Sequence, residues 1–238
     1  MTDKNLEYGI HFRSAYEKLP RQKTFPTEED MACEAQLSAL GVWEPLKFSI
    51  NNNQWRKDFQ KLEQYWVPFQ PWPGKQNDRQ SVLVYGPDGA NPSDSCGLSQ
   101  LAKKYGKAPS EDSMIHPTKI KDELESMSEV FNYFDLGRTF VINLNAGGHY
   151  PPHRDQILLT RPTFRLIAFL GNNTSSNLRW EVEDNLMRFE TNHIYYVDTR
   201  KTHRLWSSAP NSTMIVFNVF KNWKNVMRLM TKLKYQGG

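Results

Sequence analysis

The residues best suited to chemistry are His153, Asp155 and His203. His153-Arg154-Asp155 carries an imidazole and a carboxylate two positions apart. In an extended chain, residues two apart point to the same side, so both side chains can reach one ion. A third ligand from a distant strand would complete one face of an octahedron. Two histidines and one carboxylate arranged so suit ferrous iron and leave positions open for a cosubstrate and dioxygen. Two later histidines are candidates for the third ligand. His203 follows the apolar stretch Ile194 to Val197 and the turn Asp198-Thr199-Arg200, and it opens another apolar stretch at Leu205-Trp206. His193 follows Thr191-Asn192 and reads as a turn residue, so His203 is the expected ligand. An HxD pair alone is common, and a polar loop after Pro151-Pro152 is its plain structural alternative. His-Arg-Asp also occurs in the catalytic loop of protein kinases, but that loop needs an Asn five positions beyond the Asp. Thr160 stands there.

Arg165 is the next candidate. Thr163 to Leu170 is apolar on both faces, the pattern of a strand covered on both sides. An unpaired charge buried there is costly, so Arg165 needs an anion. That anion is either a structural acid, such as Asp198 or Glu181, or a carboxylate of a bound cosubstrate. A guanidinium binds a carboxylate through two parallel hydrogen bonds.

These residues need a scaffold. After residue 136 the chain is a series of short segments rich in β-branched and aromatic residues, separated by turns such as Gly171-Asn172-Asn173. They are Thr139 to Leu144, Phe164 to Leu170, Leu178 to Val182, Leu186 to Phe189, His193 to Val197, His203 to Ser207 and Thr213 to Phe220. Such spacing predicts a mainly β fold, a jelly roll or double-stranded β-helix of cupin-like form, with flanking helices. Residues 136–238 are expected to form this core, closed by a helix from Asn222 to Tyr235. Residues 1–135 are expected to form a helical and irregular region packed on it. Within that region Thr27 reads as the N-cap of a helix reaching about Leu40. Gln54 to Trp66 and Lys119 to Phe131 read as helices, and Ser81 to Tyr85 as a strand. Phe69 to Asp78 reads as a loop and Asn91 to Pro117 as a mobile flap. Trp43, Trp55, Trp66 and Trp72 are expected to pack this region on the barrel, and Trp180, Trp206 and Trp223 to be core.

Composition narrows the class. Hydrophobic residues make up 38% and aromatics 13%, which excludes a disordered chain. The apolar runs are far shorter than the roughly 20 residues that span a bilayer, and Met1 to Ile10 is too polar for a secretory signal. Cys33 and Cys96 offer neither a disulfide framework nor a CxxC zinc spacing, which suits a reducing, cytoplasmic setting. A formal net charge of +4 is too small for a strong nucleic-acid footprint.

Residues 138 to 223 resemble the aspartyl/asparaginyl β-hydroxylase branch of the Fe(II)/2-oxoglutarate oxygenases. The resemblance runs through Phe140-Val141-Ile142-Asn143-Leu144 and Gly147-Gly148-His149-Tyr150-Pro151-Pro152-His153. It continues in Phe164-Arg165-Leu166 with Phe169-Leu170-Gly171, and in the stretch from Tyr195 to Phe220. It implies an Fe(II)- and 2-oxoglutarate-dependent hydroxylase acting on an amino-acid side chain, in a protein or free. It also implies that His153, Asp155 and His203 are catalytic iron ligands. Animal members of the branch lack the carboxylate that Asp155 supplies. Many members carry an arginine for the far carboxylate of 2-oxoglutarate about ten residues beyond the second histidine, where Thr213 stands. Arg165, assisted by Thr213 or Asn143, is then expected to bind the cosubstrate. His149 is expected to support a ligand and Asp198 to orient one, with Arg138 and Arg161 as further anion contacts. The rival readings are a nucleic-acid-directed oxygenase and a non-catalytic, cupin-like module binding a small anion.

Overall fold

The structure, a computed structural model, describes residues 25–69, 78–106, 111–155 and 162–234. In chain order the elements are α1 (Glu28–Ala39), β1 (Trp43–Ser49), α2 (Asn52–Leu62), β2 (Val67–Pro68), β3 (Arg79–Gly86), α3 (Leu98–Tyr105), β4 (His116–Pro117) and α4 (Ser128–Tyr133). There follow β5 (Leu136–Leu144), β6 (His149–His153), β7 (Thr163–Leu170), β8 (Leu178–Val182), β9 (Asn185–Leu186), β10 (His193–Val197), β11 (His203–Ser207), β12 (Ser212–Phe220) and α5 (Trp223–Thr231).

The strands form two antiparallel sheets. The major sheet runs β1-β10-β7-β12-β5-β3-β2, with β4 beside β3, and the minor sheet runs β6-β11-β8-β9. Strands that follow one another in the chain, such as β5, β6 and β7, alternate between the sheets. This is a jelly roll.

Burial explains the sequence of the major sheet. Every residue of β5 and β7 is buried. One face of β5, β7 and β12 packs Val141, Leu166 and Phe217 against helix residues Leu37, Trp55, Val130 and Leu229. The other packs Phe140, Ile167, Phe169, Met214 and Val216 against Leu178, Trp180 and Leu205 of the minor sheet. Side chains on both faces must therefore be apolar, at about 1.5–3 kcal/mol of stabilisation for each large one buried. The minor sheet has one core face and one wet face, and β11 alternates accordingly: His203, Leu205 and Ser207 are buried, Arg204 and Trp206 exposed.

The helices start where polar side chains can cap them. Thr27 and Asp30 form a reciprocal capping box on α1, each accepting the other's backbone N–H at 3.1 Å. Asn51 caps α2 and Asn222 caps α5.

Several expectations change. Strands from both sides of residue 136 share one sheet: β3 is paired with β5 from Arg79 to Tyr85, and β1 with β10. Lys121 to Met127 forms two 3-10 turns, and only Ser128–Tyr133 is α-helical. The expected flap holds α3 and buries Cys96, Leu101, Glu111 and Met114; residues 107–110 lie outside the described residues, as do Trp72, Arg161 and most of the expected loop before β3. Trp55 and Trp180 are core, but Trp206 and Trp223 are 45% and 43% exposed. Among the described residues no helix is long and apolar enough to cross a membrane.

Candidate metal centre

The site is built from one edge of the minor sheet. β6 is the edge strand, and His153 at its end faces His203 at the start of β11. Further along, Leu205 faces Tyr150. Between these two pairs β6 spends one residue more than β11, which is a β-bulge. Pro151 and Pro152 lie there. They have no N–H to give a ladder, which an edge strand tolerates. The extra residue shifts the alternation, so Tyr150 and His153 both turn inward although they are an odd number of positions apart. Their rings lie 6.1 Å apart at 28°.

The two histidines are held in one orientation. Their ring centroids are 4.2 Å apart. Trp180 stacks on the other side of His203 at 5.7 Å and 4°. His153 Nδ1 donates to Pro151 O at 2.8 Å, and His203 Nδ1 to Lys201 O at 3.0 Å. A carbonyl only accepts, so in each ring Nδ1 carries the proton and Nε2 keeps a lone pair for a metal. Burial, followed by the neighbouring His153, holds the pKa of His203 below its ordinary value. It is therefore neutral, as a ligand must be.

Asp155 completes the set. Its backbone N–H donates to Thr199 O at 2.8 Å, in the turn between β10 and β11. Its Oδ1 lies 3.8 Å from His153 Nε2. One ligand atom from each of His153, Asp155 and His203 lies within 4.8 Å of the others. Asp198 supports this turn: it takes two hydrogen bonds from the Arg200 guanidinium, at 2.6 and 2.7 Å, and one from the Arg200 backbone N–H at 3.2 Å.

Behind Asp155 lies a buried ionic chain. Arg165 Nε donates to Asp155 Oδ2 at 3.2 Å, and Arg165 Nη2 to Glu111 Oε1 at 2.9 Å. Arg138 Nη2 donates to the same Glu111 oxygen at 2.6 Å and Thr163 Oγ1 to the other at 2.7 Å. Arg138 Nη1 donates to Cys96 O at 2.6 Å. Burial works to raise both carboxyl pKa values. At Glu111 the guanidinium groups of Arg165 and Arg138 outweigh it and hold the pKa at about 2. At Asp155, Arg165 foremost does the same, again at about 2. The buried charge of Arg165 thus has two acids, though not Asp198 or Glu181; Glu181 pairs with Arg204 at 2.5 Å.

Asn143 and Thr213 are not brought to this place. Thr213 alternates with the inward Met214 and shares the helix-side face of Ile215 and Phe217; Asn143 shares that face with Val141. They bond each other at 3.1 Å. Along β12, Asn218 stands opposite Arg165 while Thr213 stands opposite Leu170. Face and register both separate Arg165 from the pair, so the three do not act on one group. His193 opens β10 opposite Phe169, with Val197 opposite Arg165, and so sits at the far end from the triad. His149 is exposed, and its Nδ1 is bonded to Gly147 O at 3.1 Å.

With the triad assembled, comparison with known proteins has a definite object. No family model and no curated protein matches the chain. Solved structures do. An oxidoreductase of the 2OG-Fe(II) oxygenase family from Burkholderia pseudomallei is similar at 13% identity and a TM-score of 0.42, covering 84% of this chain and 94% of that one. A prolyl hydroxylase from Trichoplax adhaerens, solved with a hypoxia-inducible-factor peptide fragment, is similar at 10% identity and 0.42, covering 81% and 90%. A conserved protein of unknown function from Streptococcus pyogenes is similar at 13% identity and 0.27, over 34% of this chain; the match spans 62% of its own length. Likeness at this level is one of shape. The chemistry has to come from the site's own residues.

Proposed function

We propose that the chain is an Fe(II)- and 2-oxoglutarate-dependent oxygenase that hydroxylates an amino-acid side chain, in a protein or free. The observation that carries the reading is the convergence of His153, Asp155 and His203, with both Nδ1 atoms engaged and both Nε2 atoms left to ligate. This donor set fits ferrous iron. His153 and His203 would hold it through Nε2 and Asp155 through Oδ1. When bound, the metal supplies oxidative chemistry in which 2-oxoglutarate and dioxygen give succinate, carbon dioxide and one oxygen inserted into a C–H bond.

The surroundings also fit a dicarboxylate. Arg138 and Arg165 balance Glu111 and Asp155. A dication on the triad leaves two positive charges over, which a dianion neutralises. Arg165 Nη1, Arg138 Nε and Trp180 Nε1 are buried and have no hydrogen-bond partner among the described residues. All three belong to side chains on the inter-sheet face, the face of Phe140, Ile167 and Trp180. Buried donors left unsatisfied cost about 1–3 kcal/mol each, and a bound carboxylate would recover that. Tyr150 and Trp180 flank the imidazoles with apolar surface.

The test is direct. Fe(II)-loaded protein is incubated with 2-oxoglutarate, air and a cell extract, and succinate is measured while peptides and metabolites are searched for a gain of one oxygen. The proposal expects oxygen-dependent succinate and an oxidised product. Tight 2-oxoglutarate binding without any succinate would instead identify a small-anion-binding module. An oxidised base would redirect the reading to nucleic acid.

A further inference from the structure

We infer that Arg165 is a positioning residue that confines Asp155 to a single metal-facing oxygen, and that Glu111 sets the strength of that restraint. The inference rests on the oxygenase reading above and deepens it.

The two oxygens of Asp155 are not equivalent. Oδ1 faces His153 Nε2 at 3.8 Å, while Oδ2 accepts from Arg165 Nε at 3.2 Å. A carboxylate that gives both oxygens to one ion fills two coordination positions. The proposed reaction needs those positions for cosubstrate and dioxygen. An N–H seated on Oδ2 competes with the metal for that oxygen's lone pairs, so Asp155 binds through Oδ1 alone.

Arg165 cannot easily swing away. Its strand is buried along its whole length, and its Nη2 is tied to Glu111 Oε1 at 2.9 Å. Glu111 is 1% exposed and is itself held by Arg138 at 2.6 Å and Thr163 at 2.7 Å. Glu111 therefore does two things. It fixes the guanidinium plane that aims Nε at Asp155. It also absorbs part of the Arg165 charge, which would otherwise fall wholly on Asp155 and oppose a cation.

The consequence is a pair of opposite signs. Removing the guanidinium frees Oδ2 to chelate and removes a positive charge beside the metal, so the metal binds more tightly. The cosubstrate, which needs the position now taken by Oδ2 and also loses Arg165 Nη1 as a donor, binds less well. Neutralising Glu111 leaves Arg165 with Asp155 as its remaining acid in this chain, so the metal binds more weakly. A merely structural ion network would weaken metal binding in both variants.

The experiment measures Mn(II) dissociation constants without cosubstrate, then 2-oxoglutarate binding to the Mn(II)-loaded protein, with melting curves as the check on folding. For Arg165→Met the Mn(II) constant falls by about tenfold and the 2-oxoglutarate constant rises by about tenfold or more; for Glu111→Gln the Mn(II) constant rises by about tenfold. Arg165→Gln, equally neutral but polar, serves if the Met variant does not fold. Shifts of the Mn(II) constant in the same direction, or no shift in either folded variant, overturn the inference. Wild-type protein that binds no Mn(II) at all refutes the oxygenase reading itself, which is a different result.

Discussion

The two sheets of this molecule share a core but live under different rules. The major sheet is covered on both sides, by helices on one and the minor sheet on the other, and its central strands are buried throughout. The minor sheet has a wet face, an edge strand with two prolines, and a bulge. Both histidines of the triad come from the minor sheet. The major sheet supplies the ionic backing, Arg138 and Arg165, from inside its apolar strands. Stability is thus concentrated in one sheet and ligand chemistry in the other, with Glu111 joining the two charges that back the site.

Substitutions can break or sharpen that division. The largest expected effect is at the ligands. His153→Ala or Asp155→Ala removes Mn(II) or Fe(II) binding and all 2-oxoglutarate turnover. In metal-free protein His153→Ala shifts stability by no more than about 1 kcal/mol, because the side chain is half-exposed. Calorimetric metal titration beside thermal melting checks both halves; retained turnover in Asp155→Ala would remove Asp155 from the ligand set.

Next comes the major sheet. Phe217 is fully buried on the helix side of β12, and Phe217→Ala is expected to destabilise by about 3–5 kcal/mol. If the protein still folds, its metal affinity stays within a few-fold of wild type. Urea unfolding and metal titration together test this, and a large affinity loss in a folded variant would mean that the two sheets are not separable.

A smaller effect is expected in acid. Glu111 has its pKa lowered from 4.5 to about 2 in the folded protein. A lowered carboxyl pKa contributes stability that is fully present above 4.5 and is lost as pH falls toward about 2. The contribution is about 3 kcal/mol. Wild type therefore loses more stability between pH 5 and 2.5 than Glu111→Gln does. Parallel stability–pH curves for the two proteins would show that Glu111 does not titrate as its surroundings demand.

The smallest effect is on the wet face. Trp206 neighbours the buried Leu205 but points outward. Trp206→Ala is expected to change stability by no more than about 0.5 kcal/mol and to leave metal affinity unchanged.

These contrasts also show what the sequence could reveal. The HxD pair and His203 stand out because residue type and spacing carry the geometry. The apolar runs of β5, β7 and β12 follow from two-sided burial, so the jelly roll was legible from them. Other features depend on long-range placement. Glu111 lies in a stretch with no periodicity, and its partners Arg138 and Arg165 are 27 and 54 residues away. Only the buried arginine hinted that an acid must exist somewhere. Asn143 and Thr213 sit at suggestive points in the chain, but the sheet face that decides their role depends on strand register. β1 is not legible in the sequence because Pro45 and Lys47 interrupt its apolar pattern, which an edge position permits.

The prolines of β6 have one more consequence, outside the site. A bare strand at the side of a sheet is a template on which another copy can add its own strand, the first step of aggregation. Among the described residues β6 has no strand on its outer side, yet it cannot serve as that template along its middle. Pro151 and Pro152 offer no N–H, and the bulge twists the strand out of the flat form a newcomer needs. The strand that carries His153 can therefore lie at the edge of its sheet without inviting self-association.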